Sequence, residues 1–509
     1  MKRQSVLLGT MPPILLVISL AYVYLSTVAP GLTWANRGSD GGDLMTAAAT
    51  NGIAHPSGYP FYLFIAKIFQ ILPVGSLAFR TNLMSVFFAI LTALLVYAIV
   101  SRYLLAGQNT YCVACIAGLS AGFATGFSPL FWSQAVITEV YTLHSFLIVF
   151  IVYLTLLPEK TNSQQQGLNR WRGLVYGLAV ANHLTAILVI PGALVLNSLH
   201  PDSSTQGFSG VIKRISINWK SAGEQVVWMF AGLLVYLMLP LRALKQPLIN
   251  WGNPINLKNF WWLVSGKIYR AYYLQNAFAS LGTRLEASAS LLFQQFGLIG
   301  IILGFLGLVI FYKTSRLYIL TIWIGVVFWI TSLVYTSPDS YLYLIPTTIS
   351  FSIWIGICVG LSITYLKKHK AFLQVLFLSF LVVNLIVGVI GSWEHVDASQ
   401  DTRAENFVKE VLALAPENAI VFAEGDKAIF SLWYFHLVLD ERPDLVVLAT
   451  DLLHYDWYQE SMKRTYPALV LPGPFPWTSS VIAANPGRDV CYVKYYDRAE
   501  ILCEVVAER

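Results

Sequence analysis

The residues with the clearest chemical potential lie between positions 36 and 60, directly after the first long apolar run. This stretch contains two carboxylates, Asp40 and Asp43, together with Arg37 and His55. A carboxylate can act as a general base toward a hydroxyl, and an imidazole can orient that base or a substrate. Glycines on both sides of Asp40 leave the backbone free to bring its carboxylate close to a ligand. We therefore predict a functional role for Asp40.

Several other polar residues interrupt or border the apolar runs that follow. They are Glu139, His144, Asn182, His183, Arg242, Arg270 and Asp339. Ionisable groups at such positions are costly unless they face a cavity or a site. Structural roles stay open for some of them: Glu139 and His144 could form a hydrogen-bonded pair, and His183 could cap a helix. Arg242 could anchor a helix end to lipid headgroups, and Arg270 could be a solvated loop charge.

The composition places these residues in a membrane protein. The chain has 509 residues, of which 56% are hydrophobic and 12% are charged, whereas soluble domains carry about 25% charged residues. The net charge of +6 is modest, and most clustered basic residues lie in loops between apolar runs. This pattern indicates membrane orientation and argues against a nucleic-acid partner.

Apolar runs long enough to cross a bilayer predict about eleven transmembrane helices. The count depends on segment 171–198, which is either one tilted span or two short helices broken near Asn182 and His183. Two short helices place the basic loops on the same side as Lys2 and Arg3, in agreement with the positive-inside rule. We therefore predict a cytoplasmic N-terminus and an extracytoplasmic C-terminus. The membrane is predicted to be a prokaryotic plasma membrane, because no organelle retention signal is evident.

Hydropathy falls and charge rises after Trp393, which predicts a domain boundary. Residues 1–394 form the predicted transmembrane core, with a first external loop at 30–80 and a large external loop at 241–286. Residues 395–509 form a predicted soluble α/β domain outside the membrane. The polar residues named above then gather at the extracytoplasmic end of the spans, which is the main argument for an active site there.

The predicted soluble domain offers further polar candidates. A helix is predicted at 404–414 and strands at 419–423 and 444–449. Glu424 and Asp426 follow the first strand, where α/β folds commonly hold ligands. A structural role or acceptor docking is equally consistent with this position, because no phosphate-binding glycine motif accompanies it.

A short apolar stretch at 59–73 cannot span a bilayer and carries Lys67 at its middle. It predicts a helix that lies along the membrane surface, with the lysine reaching toward the headgroups. Such a helix beside an acidic turn would suit an enzyme whose donor is a lipid.

The order of several motifs resembles a known family. Residues 38–44 (Gly-Ser-Asp-Gly-Gly-Asp-Leu) and 54–60 (Ala-His-Pro-Ser-Gly-Tyr-Pro) are similar to the membrane core shared by a family of bacterial proteins and the related animal endoplasmic-reticulum O-mannosyltransferase. Further matching motifs are Arg80-Thr81-Asn82, Glu139-Val140-Tyr141, Asn182-His183-Leu184, Leu239-Pro240-Leu241-Arg242, Asn250-Trp251-Gly252-Asn253-Pro254 and Asp339-Ser340-Tyr341. Motifs after position 420 match as well, so the resemblance covers nearly the whole chain.

The resemblance implies a GT-C glycosyltransferase, a class that takes its sugar from a polyprenyl phosphate on the outer or lumenal side of the membrane. An acidic residue of the first external loop is the usual catalytic base in this class, and Asp40 matches its position. Three departures from the family pattern stand nearby: Gly41 replaces a serine, Asp43 replaces a glutamate, and Ser57 replaces a proline.

On this basis we predict an inverting transfer of a hexose, with mannose favoured, from a polyprenyl-phosphate donor to an acceptor hydroxyl, with Ser or Thr of a protein favoured. Asp40 is the predicted base. The predicted substrate-binding residues are Asp43, His55, Tyr59, Glu139, His183, Arg242, Arg270, Asp339 and Tyr341. Arg242 is the first candidate for the donor phosphate, because a guanidinium can bind phosphate through two hydrogen bonds. Arg270 and Lys67 follow it.

The expected partners are the lipid-linked donor, the acceptor and membrane lipids, and no metal cofactor is predicted. Carboxylates near histidines could hold Mg²⁺ or Mn²⁺, but the resemblance implies a reaction without a metal. Two alternatives stay open: a lipid or cell-envelope glycan as the acceptor, and transport of lipid or polymer precursors instead of catalysis. Transporters often show repeated halves, whereas this sequence shows no internal repeat.

Overall fold

The computed structural model describes residues 2–107, 109–159, 161–199, 217–273, 279–311, 315–369 and 371–504. Among the described residues up to about position 396, most are helical, as expected where lipid offers the backbone no hydrogen-bonding partners. These helices are α1 (Lys2–Thr27), α2 (Gly41–Ala49), α3 (Pro60–Gln70), α4 (Leu77–Ala106), α5 (Tyr111–Gly126), α6 (Pro129–Ala135), α7 (Tyr141–Thr155), α8 (Asn162–Asn182), α9 (Ile190–Asn197), α10 (Trp219–Leu233), α11 (Met238–Ala243), α12 (Leu257–Val264), α13 (Leu281–Ile310), α14 (Arg316–Val334), α15 (Ile345–His369) and α16 (Ala371–Val396).

Among the described residues, six helical segments are long and apolar enough to cross a membrane. They are Leu77–Ala106, Trp219–Ala243, Leu281–Ile310, Arg316–Val334, Ser340–Lys367 and Phe372–Val396. The pair α5 and α6, bent by 67°, adds a seventh if it counts as one span. By length and composition the structure therefore supports fewer spans than the eleven predicted. The reason is that other apolar runs form shorter helices, such as Tyr141–Thr155 and Leu184–Asn197.

The break expected in segment 171–198 is present. Helix α8 ends at Asn182, and His183 takes an extended backbone conformation. A 3-10 turn, Leu184–Leu188, then leads into α9. The interruption matters for the site, because it turns the His183 side chain away from the regular helix and lets it cap the turn by accepting from the Thr185 backbone N–H.

The C-terminal part is a small α/β unit. It contains α17 (Arg403–Leu414), α18 (Asp426–Trp433), α19 (Asp456–Thr465) and α20 (Thr478–Ala484), with strands β1 (Ile420–Glu424), β2 (Val446–Ala449), β3 (Val490–Tyr495) and β4 (Ala499–Glu504). The strand order is β2-β1-β3-β4, with β1 parallel to both neighbours and β4 antiparallel to β3. A disulfide between Cys491 and Cys503 joins β3 to β4. The helix and the two strands predicted for this part lie close to α17, β1 and β2.

The first external loop packs directly against the C-terminal unit. The Thr33 hydroxyl and the Trp34 backbone N–H both donate to the Asp401 carboxylate, at 2.6 and 2.9 Å. The Trp34 indole N–H donates to the Ser431 hydroxyl at 3.1 Å. Helices α2 and α18 touch at Gly42, where a Cβ would overlap the carbonyl oxygen of Phe430. The loop and the C-terminal unit are therefore one packed structure.

Gly42→Ala should loosen the contact between α2 and α18. The added methyl group has no room against a main-chain carbonyl, so the backbone must shift, at a cost of about 1–3 kcal/mol. Thermal unfolding of the full chain in detergent measures the effect as a lower melting temperature. Gly31→Ala is the matched control in the same loop, because a Cβ at position 31 would meet nothing within 4 Å. Equal melting temperatures for the two variants would contradict the packing described here.

Candidate active site

A cavity of about 410 Å³ opens where six parts of the chain meet: the first external loop, residues 139–141, residues 183–185, the region of the 3-10 helix Lys267–Tyr272, the segment 335–343 and the start of α18. Seven of the ten predicted site residues line it, namely Asp40, His55, Tyr59, Glu139, His183, Asp339 and Tyr341. Three lie elsewhere: Asp43 is buried behind His55, and Arg242 and Arg270 do not line this cavity. The expected gathering of ionisable groups is therefore present in space.

Asp40 is the residue just before α2, so its backbone begins the helix while its side chain reaches the cavity. About 35% of the side-chain surface is exposed. One carboxylate oxygen accepts a hydrogen bond from the Ser39 hydroxyl at 2.9 Å, and the other lies 3.4 Å from Nε2 of His55. This carboxylate is held on one side and open to a ligand on the other.

His55 lies between two carboxylates. Its Nδ1 is 2.7 Å from Oδ2 of Asp43, and its Nε2 faces Asp40. Burial alone would lower the pKa of this imidazole, but the negative charges of Asp40, Asp43 and Asp426 outweigh burial and raise the pKa to about 9. His55 is therefore a positively charged imidazolium at neutral pH, with both ring nitrogens acting as donors.

Asp43 is fully buried and fixes that imidazolium. Its Oδ2 accepts from both the backbone N–H and Nδ1 of His55, and its Oδ1 accepts from the Trp251 indole N–H at 3.0 Å. A buried carboxylate is tolerated when it is paired and hydrogen-bonded in this way. The Asp43 side chain thus supports the site from behind and does not reach the cavity wall.

Phe430 closes the other side of His55. Its ring stacks on the imidazole at a centroid distance of 6.0 Å and an interplanar angle of 15°. Phe430 belongs to α18 of the C-terminal unit, four residues after Asp426, which itself lines the cavity. Burial, followed by the charge of Asp40, raises the pKa of Asp426 to about 6. The C-terminal unit therefore supplies both packing and an acid to the site.

Glu139 and His183 are both buried at the cavity wall. Within the described residues, the hydrogen bonds of His144 and His183 run to Thr185: its hydroxyl lies 2.8 Å from Nδ1 of His183 and 3.1 Å from Nε2 of His144. The considered pairing of Glu139 with His144 is therefore not formed. His183 combines the two roles considered for it, because it caps the turn and also faces the cavity.

Asp339 and Tyr341 approach from the segment between α14 and α15. The Asp339 carboxylate accepts a hydrogen bond from the Ser337 hydroxyl, and burial raises its pKa. The Arg37 guanidinium lies 5.4 Å from the centre of the Tyr341 ring, a cation–π geometry. Arg37 lines the cavity with an exposed side chain, and its φ of 61° is unusual for a residue with a Cβ.

The three cations predicted for the donor phosphate lie outside this cavity. Arg242 donates to the carbonyl oxygen of Gly52 at 2.9 Å, and Lys67 donates to the carbonyl oxygen of Ala49 at 2.6 Å. Both cations therefore hold the chain that follows α2. Arg270 donates to the Ser265 hydroxyl at 3.3 Å and lines a second, neighbouring cavity.

Sequence reasoning did not single out the tyrosines of the cavity as a group. Those that line it besides Tyr59 and Tyr341 are Tyr141, Tyr269, Tyr272, Tyr273, Tyr335 and Tyr343. Tyrosine carries no strong signal in a hydrophobic chain, because it is as common in packed cores and at membrane interfaces as in sites. Their hydroxyl groups give an otherwise aromatic wall the ability to donate hydrogen bonds.

Within the described ranges, no cluster of three or more His, Cys, Asp or Glu side chains could hold a metal ion. Both ring nitrogens of His55 are directed at carboxylates, and an imidazolium that donates from both nitrogens has no lone pair for a metal. The absence of a metal cofactor stays a prediction.

Two family models match the chain. "Protein O-mannosyl-transferase TMEM260 N-terminal domain" matches residues 40–206, and "TMEM260-associated domain 2" matches residues 404–505. The two matched stretches together cover just over half of the sequence. The chain belongs to the TMEM260 family. The first match begins at Asp40, and the second covers most of the C-terminal unit that contributes Asp426 and Phe430.

Curated relatives in the TMEM260 family agree over nearly the whole chain. Protein O-mannosyl-transferase TMEM260 of Mus musculus is 23% identical over 494 residues, which are 89% of this chain and 65% of the mouse protein. The Dictyostelium discoideum protein of the same name is 22% identical over 510 residues, 90% of this chain and 60% of that protein. The chain thus spans 60–65% of the length of these curated relatives.

A solved structure shares the fold. ArnT from Cupriavidus metallidurans bound to undecaprenyl phosphate aligns with a TM-score of 0.60 and 12% identity, covering 95% of this chain and 93% of ArnT. The apo state of the same protein aligns with a TM-score of 0.58. The prediction of a GT-C-like helical membrane core followed by a small α/β unit is confirmed at the level of the fold. This TMEM260-family chain is an integral membrane protein.

The stability of the TMEM260-family chain should fall at alkaline pH because of His55. Its pKa of about 9 in the folded protein lies above the ordinary value of 6.5. The stabilisation that the charged His55 imidazole gives the folded protein is therefore complete below about pH 6.5. It is lost as the pH rises through 9, a loss on the order of 3 kcal/mol. Unfolding in detergent between pH 6 and pH 10 measures it. His55→Gln should be less stable at neutral pH and should not show this loss of stability as the pH rises. The same pH dependence of the unfolding free energy in both proteins would count against a charged His55.

Proposed function

We propose that this protein is a glycosyltransferase that moves a hexose, with mannose as the first candidate, from a polyprenyl-phosphate donor to an acceptor hydroxyl. The observation that carries the proposal is the partly exposed Asp40 carboxylate beside an imidazolium, in a cavity that holds most of the predicted site residues. Two comparisons support it: the curated relatives are named protein O-mannosyl-transferase, and the structure with the same fold is bound to undecaprenyl phosphate.

The reaction begins at Asp40. One oxygen of its carboxylate accepts the proton of the acceptor hydroxyl while the oxygen of that hydroxyl attacks the anomeric carbon of the sugar. The new bond joins the anomeric carbon to the acceptor oxygen, and the bond to the phosphate oxygen breaks. The polyprenyl phosphate leaves with the bonding electrons, and attack from the opposite face inverts the anomeric centre. His55 holds the base in place through its contact with Asp40, and Asp43 fixes His55 from behind.

Arg37 is the best-placed partner for the donor phosphate. Among the described residues that line the cavity, it is the one Lys or Arg. A guanidinium can offer two parallel hydrogen bonds to a phosphate and keeps its charge at any working pH. The exposed Arg37 side chain can then balance the charge that grows on the departing phosphate. Tyrosine hydroxyls on the adjacent wall can donate to the remaining oxygens.

The acceptor and the membrane side are part of the same proposal. The acceptor is the hydroxyl of a Ser or Thr in a protein, in line with the name of the curated relatives. The site faces the extracytoplasmic side of a prokaryotic plasma membrane, with a cytoplasmic N-terminus. The disulfide in the C-terminal unit supports this orientation, because disulfides persist in oxidising compartments.

Asp40→Asn should keep the fold and lose the reaction. An amide cannot take up the proton, so transfer should fall by about 10²- to 10⁴-fold. The measurement is the incorporation of labelled mannose from polyprenyl-phosphate mannose into Ser/Thr peptides, with the melting temperature as a check on folding. Asp440→Asn, an exposed position in the C-terminal unit, is the control for the same chemical change. Wild-type turnover by Asp40→Asn would remove this residue from the role of base.

Arg37→Gln should weaken the use of the donor more than Arg242→Gln does. Hydrogen bonds to a charged group are worth about 1.5–3 kcal/mol, so the donor KM should rise by roughly 10- to 100-fold. Arg37→Lys should recover part of the loss, because lysine keeps the charge without the paired geometry. Titration of the donor at fixed acceptor concentration separates the variants. A larger effect at Arg242 would return the phosphate role to that residue.

A further inference from the structure

A second cavity, of about 680 Å³, lies between the large external loop and the C-terminal unit. One wall is α12 with the start of the 3-10 helix Lys267–Tyr272, and the other is α19 with the residues just before it. We call this cavity the interdomain groove. It has the volume of a typical ligand site, and none of the residues that the proposed reaction uses is needed to build it.

Aromatic side chains form the floor of the interdomain groove. The ring of Trp262 lies 5.5 Å from Tyr455 and 6.0 Å from Trp457, and the last two rings stack at 5.6 Å. Phe475 stands at the rim with 61% of its surface exposed. Large rigid aromatic surfaces of this kind provide contact area at little cost in conformational entropy and are typical of protein recognition sites.

The two walls carry opposite charges. Lys258, Lys267 and Arg270 lie on the wall of the large external loop, and Asp456 and Glu460 lie on the wall of the C-terminal unit. In the part of the chain that the structure describes, none of these five groups belongs to an ion pair. All five are exposed to solvent and available to a ligand. A ligand that carries both signs of charge would match both walls.

The interdomain groove adjoins the catalytic cavity. Ser265 lines both spaces, and the 3-10 helix Lys267–Tyr272 separates them. Tyr269 and Tyr272 of this helix line the catalytic cavity, whereas Lys267 and Arg270 line the groove. A chain lying in the groove therefore needs to cross only one helical turn to bring a side-chain hydroxyl toward Asp40.

The aromatic floor of the groove also contacts Trp251, which belongs to the set of residues that hold Asp40, the proposed base, in place. The ring of Trp457 lies 5.6 Å from that of Trp251, whose indole N–H donates to Asp43. Asp43 in turn holds His55, which faces Asp40. A ligand packed on Trp457 is thus separated from the catalytic array by one buried tryptophan.

We propose that the interdomain groove binds the acceptor as an extended polypeptide segment and presents one Ser or Thr to Asp40. This inference rests on the proposed function, because it names the acceptor of that reaction. A polypeptide offers side chains of both charges for the two walls and apolar surface for the aromatic floor. A neutral glycan would leave the charged walls without partners, and an anionic lipid surface would be repelled by Asp456 and Glu460.

Photo-crosslinking tests where the acceptor lies. A benzoylphenylalanine at Phe475 of the full chain should capture short synthetic peptides that carry one central threonine. The matched probe at Leu502, an exposed residue on β4 with 60% of its surface accessible, should not. Manno-oligosaccharides and phosphatidylglycerol vesicles are offered in parallel. Capture of oligosaccharide or lipid in place of peptide, or equal capture at both positions, overturns the proposal.

Charge reversal tests whether the charged walls of the groove select the acceptor peptide by its charge. Lys258→Glu should shift the ratio of kcat/KM for peptides bearing glutamate against peptides bearing lysine by about tenfold toward lysine. Asp456→Lys should shift the ratio in the opposite direction. Lys409→Glu, at an exposed lysine on α17, should leave this ratio of kcat/KM values unchanged. A general loss of stability would lower both rates together, so an unchanged ratio in both groove variants overturns the assignment.

The same experiments separate the two proposals. If wild-type protein transfers mannose to peptides but the variant with benzoylphenylalanine at Phe475 does not crosslink them, the proposed function stands and the groove proposal is wrong. If that variant crosslinks peptides but wild-type protein transfers no hexose to any acceptor, the peptide site stands and the proposed glycosyltransferase function is wrong.

Discussion

The contact between Asp43 and His55 is the interaction on which the whole site depends. A carboxylate with no exposed surface is tolerable only when donors satisfy it, and here the His55 backbone, the His55 ring and the Trp251 indole do so. These three donors come from two distant parts of the chain, so the pairing fixes the first external loop against the large external loop. The imidazolium that results gives Asp40 a partner whose own position cannot drift.

The need to keep the Asp43–His55 pair buried explains why the C-terminal unit is part of the site. Phe430 covers the face of His55 that would otherwise meet water, and water beside the imidazolium would weaken its interaction with both carboxylates. The close approach needs a residue without a side chain on the facing helix, which is Gly42. A membrane core without this unit would expose His55 and lose Asp426 from the cavity. The membrane core and the C-terminal unit therefore form the candidate site together.

The sequence predicted the acids and histidines of the cavity better than its cations and tyrosines. Asp40, Glu139 and Asp339 stood out because a charged group beside an apolar run has few inexpensive places to lie. An arginine is different, since its long side chain can reach a backbone carbonyl as easily as a ligand. Arg242 does so at Gly52, which charge alone could not reveal. Strand β3 pairs with β1, which lies far earlier in the chain, so local patterns did not reveal its place in the sheet.

The charge balance of the cavity suits the proposed reaction better than it suits simple binding of an anionic lipid. Among the described residues that line the cavity, the acids are Asp40, Glu139, Asp339 and Asp426, and the cations are Arg37 and the His55 imidazolium. Burial raises the pKa of Asp339 and that of Asp426, the latter to about 6, so these two carboxylates take up a proton more easily than exposed ones when a phosphate enters. Glycosyl transfer develops positive charge on the sugar ring in its transition state. Acids around the sugar and a cation near the phosphate therefore stabilise the separated charges of the transition state more than they stabilise the intact sugar–phosphate bond of the donor. This difference lowers the activation barrier of the transfer.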